Sequence, residues 1–210
     1  MFPHRVLPDG SFSDQGTRGV LTGNRGILHH PDGSDSGARW RHKAWISCTL
    51  NEKPGRPKLP LTAPGHYTPL FFHDEAVALA AGHRPCAYCR REAYNAFRTL
   101  WTREYGPARA PEMDALLHRA RLTPDRQQRR TQTLCHALPD HSFILHAGQP
   151  GRIAGDQLLP FTAAGYGAPL PRPEGEVTVI TPEPFLRLLA AGYLPALSRA
   201  EDRASWPPQP

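Results

Sequence analysis

Prolines and glycines interrupt this chain at short intervals, with 24 prolines and 18 glycines among its 210 residues. Proline removes a backbone donor and ends helices, while glycine favours turns and left-handed backbone positions. We therefore expect many short elements joined by turns, rather than a long-helix bundle or a coiled coil. Hydrophobic residues make up 39% of the chain, which is enough to build a core and argues against a wholly disordered protein.

The hydrophobic pattern changes from strand-like to helical and back again along the chain. This order predicts an α+β fold with short antiparallel strands and several helices. In the strand-rich first third, the pair Gly23-Asn24 predicts a hairpin turn. We divide the chain into a β-rich lobe (1–106), a helical connector (107–137), a second α+β lobe (138–203) and a mobile tail (204–210).

Two short strings occur in both halves of the chain. "LPDGSF" at 7–12 returns as "LPDHSF" at 138–143, and "ALAAGHRP" at 78–85 returns as "LLAAGYLP" at 188–195. The two strings are separated by roughly 70 residues in the first half and roughly 50 in the second, which argues against a simple duplication. Recurrent turn and helix-ending chemistry explains the likeness equally well, so the strings give only weak support for two lobes.

The positive charge of this chain comes almost entirely from arginine. Of its 25 basic residues, only Lys43, Lys53 and Lys58 are lysine, and the formal net charge is +6. Arginine presents a planar fork of donors that fits phosphate oxygens and stacks on bases, so the composition favours a nucleic-acid partner, with DNA as the first candidate. High-GC coding also produces arginine-rich chains, and charge alone leaves that alternative open.

The expected nucleic-acid contacts lie in and after the segment "GHRPCAYCRR" at 82–91. Tyr88 or Tyr94 is a candidate for base stacking. The candidate phosphate contacts are Arg84, Arg90, Arg91 and Arg98. The alternative is that these side chains form an ordinary solvated helix face.

The sequence has no apolar run long enough for a signal peptide or a membrane span. We therefore expect a cytoplasmic protein without a membrane partner. Thiols stay reduced in the cytoplasm, so the four cysteines indicate a metal site or a reactive thiol before they indicate disulfides.

Cys86 and Cys89 form a C-x-x-C turn directly before a predicted helix. Turn amides and a helix N-terminus stabilise thiolates, which are the species that bind zinc. A tetrahedral zinc site needs two more ligands. We expect Cys48, on a predicted strand, as the third and His66 as the fourth, with Cys135 as its substitute. A redox C-x-x-C pair and inert buried cysteines remain the alternatives.

The segment "DEAVALAAGHRPCAYC" at 74–89 resembles the zinc-binding N-terminal domain of Ada-type DNA methyl-phosphotriester repair proteins. In that family a strand and a short "EALAAG" helix precede an R-P-C-x-x-C turn, and "AWISC" here resembles the strand ending in the family's first cysteine. The resemblance spans about residues 40–92. It implies zinc held by Cys48, Cys86 and Cys89, with Cys48 in the place of the methyl-accepting thiolate. The family's second cysteine is replaced by Glu52.

Two groups of residues are candidates for hydrolytic chemistry. Asp114 and His118 lie four positions apart on a predicted helix, where a carboxylate can orient an imidazole as a general base. His29 and His30 lie close to Asp32, a combination typical of metal-dependent nucleases. For both groups the alternative is a set of solvated surface side chains.

These patterns predict a zinc-binding, nucleic-acid-binding protein, with DNA repair or processing as its context. A metal-dependent nuclease or hydrolase that uses a histidine base is the alternative from a different class. A purely structural zinc module that binds another protein is the third possibility.

Overall fold

The structure is a computed structural model that describes residues 4–15, 19–50 and 65–198. It shows an α+β fold, as predicted, in which two sheets are combined with α-helices. The predicted mobile tail at 204–210 lies outside the described residues.

The first sheet is built from six short strands: β1 (Arg5–Val6), β2 (Phe12–Ser13), β3 (Leu21–Asn24), β4 (Ile46–Thr49), β5 (Leu70–Phe72) and β6 (Arg84–Pro85). Their order is β2-β1-β5-β3-β4-β6. The pairs β1–β5 and β4–β6 are parallel, and the other neighbours are antiparallel.

The hairpin turn predicted at Gly23-Asn24 is wrong. Both residues lie within β3, opposite Ser47 and Ile46 of β4. A Cβ atom on Gly23 would collide with the ring of Phe72, so the glycine allows close packing inside the sheet.

The second sheet comprises β7 (Thr131–Leu134), β8 (Phe143–His146), β9 (Gln149–Ala154), β10 (Gln157–Thr162), β11 (Gly165–Tyr166), β12 (Leu170–Pro171) and β13 (Glu176–Val179). Its order is β11-β10-β9-β8-β13-β7, with β12 also paired to β10, and every pair is antiparallel. The edge strand β7 comes from the segment that we assigned to the connector.

The described helices are α1 (Glu75–Ala80), α2 (Arg91–Tyr105), α3 (Ala110–Arg121) and α4 (Glu183–Ala190). Asp74 caps α1 by accepting a hydrogen bond from the Val77 amide, and all six residues of this helix are buried. None of the helices in the described part of the chain is long and apolar enough to cross a membrane.

The hydrophobic core joins the two halves of the chain. One cluster packs α1, Leu70 and Phe72 against Phe143, Phe161 and Ile180 from the second half. Another packs Leu79 of α1 among side chains of α2, α3 and α4. Consequently, α1 lies between the two sheets and fixes the position of the turn that follows it.

Candidate metal centre

Three of the four cysteines converge at one point. The Sγ atoms of Cys48, Cys86 and Cys89 all lie within 4.8 Å of one another. The parallel pairing of β6 with β4 produces this convergence, because it places Pro85 opposite Ser47 and the Cys86 amide 2.9 Å from the Ser47 carbonyl oxygen. The C-x-x-C turn therefore begins beside the strand that carries Cys48.

The turn itself is held by backbone amides. The Arg90 amide donates to the Cys86 carbonyl oxygen at 3.1 Å, and the Tyr88 amide lies 3.4 Å from the Cys86 sulfur. The α2 helix begins at Arg91, directly after the turn. An N–H donor and a helix N-terminus both favour negative charge on a thiol, as the sequence predicts.

A buried ion pair fixes the turn to the rest of the protein. The Arg90 guanidinium donates to Glu75 at 2.6 Å and to the Ser47 hydroxyl at 2.9 Å, and the Arg90 and Glu75 side chains are only 7% and 1% exposed. Arg90 thus connects the cysteine turn both to β4, through Ser47, and to α1, through Glu75.

Hydrogen bonds among the three thiols shift the pKa values of Cys48 and Cys86 in opposite directions. Hydrogen bonding from Cys48 and Cys89, assisted by the backbone amides of Cys89 and Tyr88, lowers the pKa of Cys86. Hydrogen bonds to Cys86 and Cys89, followed by burial, raise the pKa of Cys48. Cys86 is therefore the first of these two to ionise, and a cation at this point would favour ionisation of the whole group.

The structure does not bring either expected fourth ligand to the three sulfurs. His66 is exposed and precedes β5, which is separated from β4 by β3. Cys135 is fully buried among side chains of the second sheet. All cysteines and histidines of the chain lie in described segments, and none beyond these three cysteines joins the cluster. Glu52, which takes the place of the Ada-type second cysteine, lies outside the described residues.

Two of the predicted phosphate contacts are internal, which corrects that assignment. Arg84 donates to both carboxylate oxygens of Asp114 at 2.8 Å, and its side chain is only 6% exposed. Arg90 is buried against Glu75, as described above. Arg91 and Arg98 are exposed on α2. Buried, carboxylate-paired guanidinium groups hold the fold together and are not available to an external phosphate.

The two tyrosines that were predicted to stack on bases differ in their exposure to solvent. Tyr88, between the two cysteines of the turn, is 66% exposed, whereas Tyr94 is buried against the helices. Of these two tyrosines, Tyr88 is therefore the one that presents its ring to solvent.

Asp114 and His118 do not form the predicted dyad. Both oxygens of Asp114 are taken by Arg84, while His118 Nδ1 lies 2.8 Å from the guanidinium of Arg121. Burial and the nearby charges of Arg121 and Lys43 lower the pKa of His118 to about 4. The carboxylate is therefore committed to an arginine, and the imidazole lacks the partner that would make it a strong base.

His29 and His30 lie elsewhere, in the loop between β3 and β4. They line a cavity of about 530 Å³ together with Arg41 and His42. The sequence interpretation found the two histidines but missed Arg41 and His42, because these approach from the far end of the same loop.

Sequence reasoning also missed the residues that position the cysteines. From the sequence, Glu75 could be predicted only as an acidic residue in the first turn of a helix. Ser47 could be predicted only as a residue of a strand. Their importance follows from Arg90 reaching both of them. No local pattern reveals a contact between residues separated in this way.

The fold and the site together define an α+β protein with a three-cysteine cluster that could hold a metal ion. Comparisons with models of known families, with curated proteins and with solved structures find no match for this chain.

Proposed function

We propose that this chain is a zinc-binding protein that binds nucleic acid, with DNA as the first candidate. The convergence of Cys48, Cys86 and Cys89 carries the zinc part of the proposal. Neighbouring sulfurs of a tetrahedral zinc centre with Zn–S bonds of about 2.3 Å lie about 3.8 Å apart, which fits the observed limit of 4.8 Å. Thiolates favour zinc over magnesium or calcium.

Three protein ligands leave one coordination position of a tetrahedral ion open to water or to an external group. Bound zinc would fix β4 against the C-x-x-C turn and keep the thiols ionised. The Ada-type resemblance supports the same assignment and adds DNA repair as the expected context.

The surface around the turn supports the nucleic-acid part. Tyr88, which is exposed, precedes exposed Arg91 by three residues, and exposed Arg98 follows two turns later on α2. An aromatic platform beside arginines is the combination that binds single-stranded or distorted nucleic acid through stacking and phosphate contacts. The net charge of +6 acts in the same direction.

The metal proposal is tested by the metal content of natively purified protein. We expect one zinc per chain in the wild type and a loss of at least tenfold in Cys48→Ser and Cys86→Ser. Cys135→Ser is the matched control, because this cysteine lies outside the cluster, and it should retain the metal. A wild type without zinc, or a Cys135→Ser variant that loses it equally, would contradict the proposal.

The nucleic-acid proposal is tested by fluorescence anisotropy with labelled single-stranded DNA over a salt series. We expect binding that weakens steeply with salt, and a log–log slope that falls by about 1 in Arg91→Gln and in Arg98→Gln. Arg187→Gln, on the exposed face of α4, is the control and should leave the slope unchanged. A zinc-loaded protein that does not bind DNA at low salt would instead favour the structural module.

A further inference from the structure

The loop between β3 and β4 folds back on itself and closes at a narrow neck. The Arg41 amide donates to the Arg25 carbonyl oxygen at 2.7 Å. Gly26 lies in the neck with a φ of +105°, and a Cβ atom at this position would lie 2.6 Å from Arg41 Cβ. Only glycine combines this backbone conformation with so close an approach. The two ends of the loop therefore meet in a fixed arrangement.

The folded loop lines an open cavity of about 530 Å³, a volume within the range of small-molecule sites. Its polar lining is provided by His29, His30, Ser36, Arg41 and His42, and no carboxylate lines it among the described residues. The acidic side chains of the loop have partners of their own: Asp32 accepts from Ser34, and Asp35 pairs with Arg39. Asp32 also lies close enough to His30 to interact with its charge. The positive charge of the cavity lining is therefore that of Arg41.

The buried contact of His29 occupies one of its two ring nitrogens. The fully buried Thr68 hydroxyl accepts a hydrogen bond from the Leu28 amide and is also hydrogen-bonded to His29 Nδ1. A hydroxyl can donate one hydrogen bond and accept two, so this contact is compatible with either tautomer of the ring. It leaves Nε2 as the nitrogen that can meet a ligand, and Nε2 carries the proton when Thr68 donates to Nδ1.

Arg41 and His42 add further polar groups from the opposite end of the loop. Arg41 donates from Nε to the Ile27 carbonyl oxygen at 3.2 Å, and this bond leaves the two terminal NH₂ groups of the guanidinium for a ligand. His42 Nδ1 is buried and has no hydrogen-bond partner among the described residues.

The geometry favours an anion over a metal ion. Across the described segments, the cysteine cluster is the only group of three candidate ligands that comes close enough together to hold a metal, so the imidazoles of this cavity do not form such a group. An arginine whose terminal NH₂ groups are not used by the fold, beside an imidazole with Nε2 toward a ligand, is instead a combination suited to phosphate oxygens.

We propose that this cavity binds a phosphate group, either as free inorganic phosphate or as the phosphate of a small monoester. Arg41 binds two phosphate oxygens with its terminal NH₂ groups, and His29 Nε2–H donates to another. The side chain of Ile27, 41% exposed at the cavity, gives an apolar surface for the organic part of a monoester. This inference does not depend on the metal centre or on nucleic-acid binding.

Isothermal titration calorimetry with inorganic phosphate, adenosine 5′-monophosphate and adenosine tests the proposal. We expect saturable binding of at least one phosphate-containing probe and none of adenosine. Tighter binding of the monophosphate would assign a monoester as the ligand, and equal or tighter binding of inorganic phosphate would assign the free ion. No saturable binding of either phosphate probe, or binding of adenosine as tight as that of its monophosphate, would overturn the proposal.

Variants of the loop locate the site. Arg41→Gln and His29→Ala should each weaken binding roughly tenfold, since each removes hydrogen bonding to a charged ligand. Arg39→Gln is the matched control: this nearby arginine is paired with Asp35 and does not line the cavity. It should bind within twofold of the wild type. Equal weakening in all three variants would show non-specific attraction to positive charge and would overturn the proposal. Thermal unfolding of each variant confirms that the fold is retained.

Discussion

Two helices of this protein end in the same way but lead to different structures. Both α1 and α4 end in the sequence Ala-Ala-Gly, and the glycines, Gly82 and Gly192, have φ values of +86° and +99°. Each glycine amide bonds to the carbonyl three residues earlier, at 2.9 and 3.0 Å, and the next amide bonds five residues back, at 2.8 Å in both. Both are Schellman motifs, which explains why the two strings recur in the sequence.

The structures diverge directly after the glycines. After Gly82, the chain pairs with β4 as β6 and brings Cys86 to the cysteine of that strand. Between Gly192 and the last described residue, 198, the chain forms no strand and instead reaches Ala196, whose backbone bonds to Glu75. The Schellman motif thus ends a helix through local hydrogen bonds and does not determine what the following residues form. Pairing with a strand that carries another ligand is what turns one copy into a candidate metal site.

Glu75 connects the two helix ends. Its carboxylate accepts hydrogen bonds from Arg90 of the cysteine turn and from Tyr193 and Ala196 after α4, at 2.6, 2.7 and 2.8 Å. The C-terminal segment therefore contributes to the position of the cysteine turn through a single buried carboxylate.

The largest expected effect comes from breaking this connection. Glu75→Gln removes the charge that neutralises buried Arg90, and we expect a loss of about 3–5 kcal/mol in the free energy of unfolding. Glu183→Gln, which breaks the exposed pair with Arg187, is the control and should cost at most about 1 kcal/mol. Urea unfolding measures both values. Similar losses in the two variants would show that the Glu75 connection is unimportant.

The glycines of the two helix ends provide the next comparison. Gly82→Ala strains a positive φ and also places a Cβ atom 2.6 Å from Arg121 Cδ, whereas Gly192 has open space around the same position. We expect a loss of about 3 kcal/mol for Gly82→Ala and about 1 kcal/mol for Gly192→Ala in urea unfolding. Equal losses would mean that Arg121 moves aside without cost.

Removal of the metal should speed amide hydrogen exchange after α1, where the cysteine turn lies, much more than after α4. If zinc binds the cysteine cluster, free zinc at 100 times its dissociation constant stabilises the fold by about 2.7 kcal/mol. Chelation should then speed amide hydrogen exchange at least tenfold in residues 84–91 and by less than twofold in residues 188–196. Hydrogen exchange with mass spectrometry measures both segments. Equal acceleration in both would show that the metal effect is not local.

The smallest effect concerns the residues that follow the two glycines. His83 is fully buried and accepts a hydrogen bond from Arg25, and burial followed by the charge of Arg25 holds its pKa well below the usual value. The unfolded chain therefore binds a proton near pH 6.5 that the folded chain does not, so stability is lost as the pH falls below that value. Tyr193, at the equivalent position, is neutral in both states because burial raises its pKa.

We accordingly expect His83→Gln, which keeps an acceptor for Arg25, to lessen the pH dependence of the unfolding free energy. The slope between pH 6.5 and 5 should fall by up to about 1.4 kcal/mol per pH unit. Tyr193→Phe serves as the control and should leave that slope unchanged. Urea unfolding across the pH range measures it, and an unaltered slope in His83→Gln would show that this histidine is protonated in the folded protein.

Several features of this protein were predictable from its sequence because they depend on neighbours along the chain. The α+β class follows from the change of hydrophobic period, and the ends of α1 and α4 follow from glycines that take up the left-handed conformation. The C-x-x-C turn before a helix also follows from local spacing. The strand that carries Cys48 was predicted from its alternating pattern.

The remaining features were decided by contacts between distant residues. The hairpin expected at Gly23-Asn24 became part of a strand because β4 and β5 pair on either side of it. Arg84 and Arg90 are buried because Asp114 and Glu75 lie within reach of them in the folded chain. The cavity is lined by residues from both ends of the loop between β3 and β4. Sequence determines local conformation, but which groups face each other depends on strand pairing and core packing, which only the tertiary structure specifies.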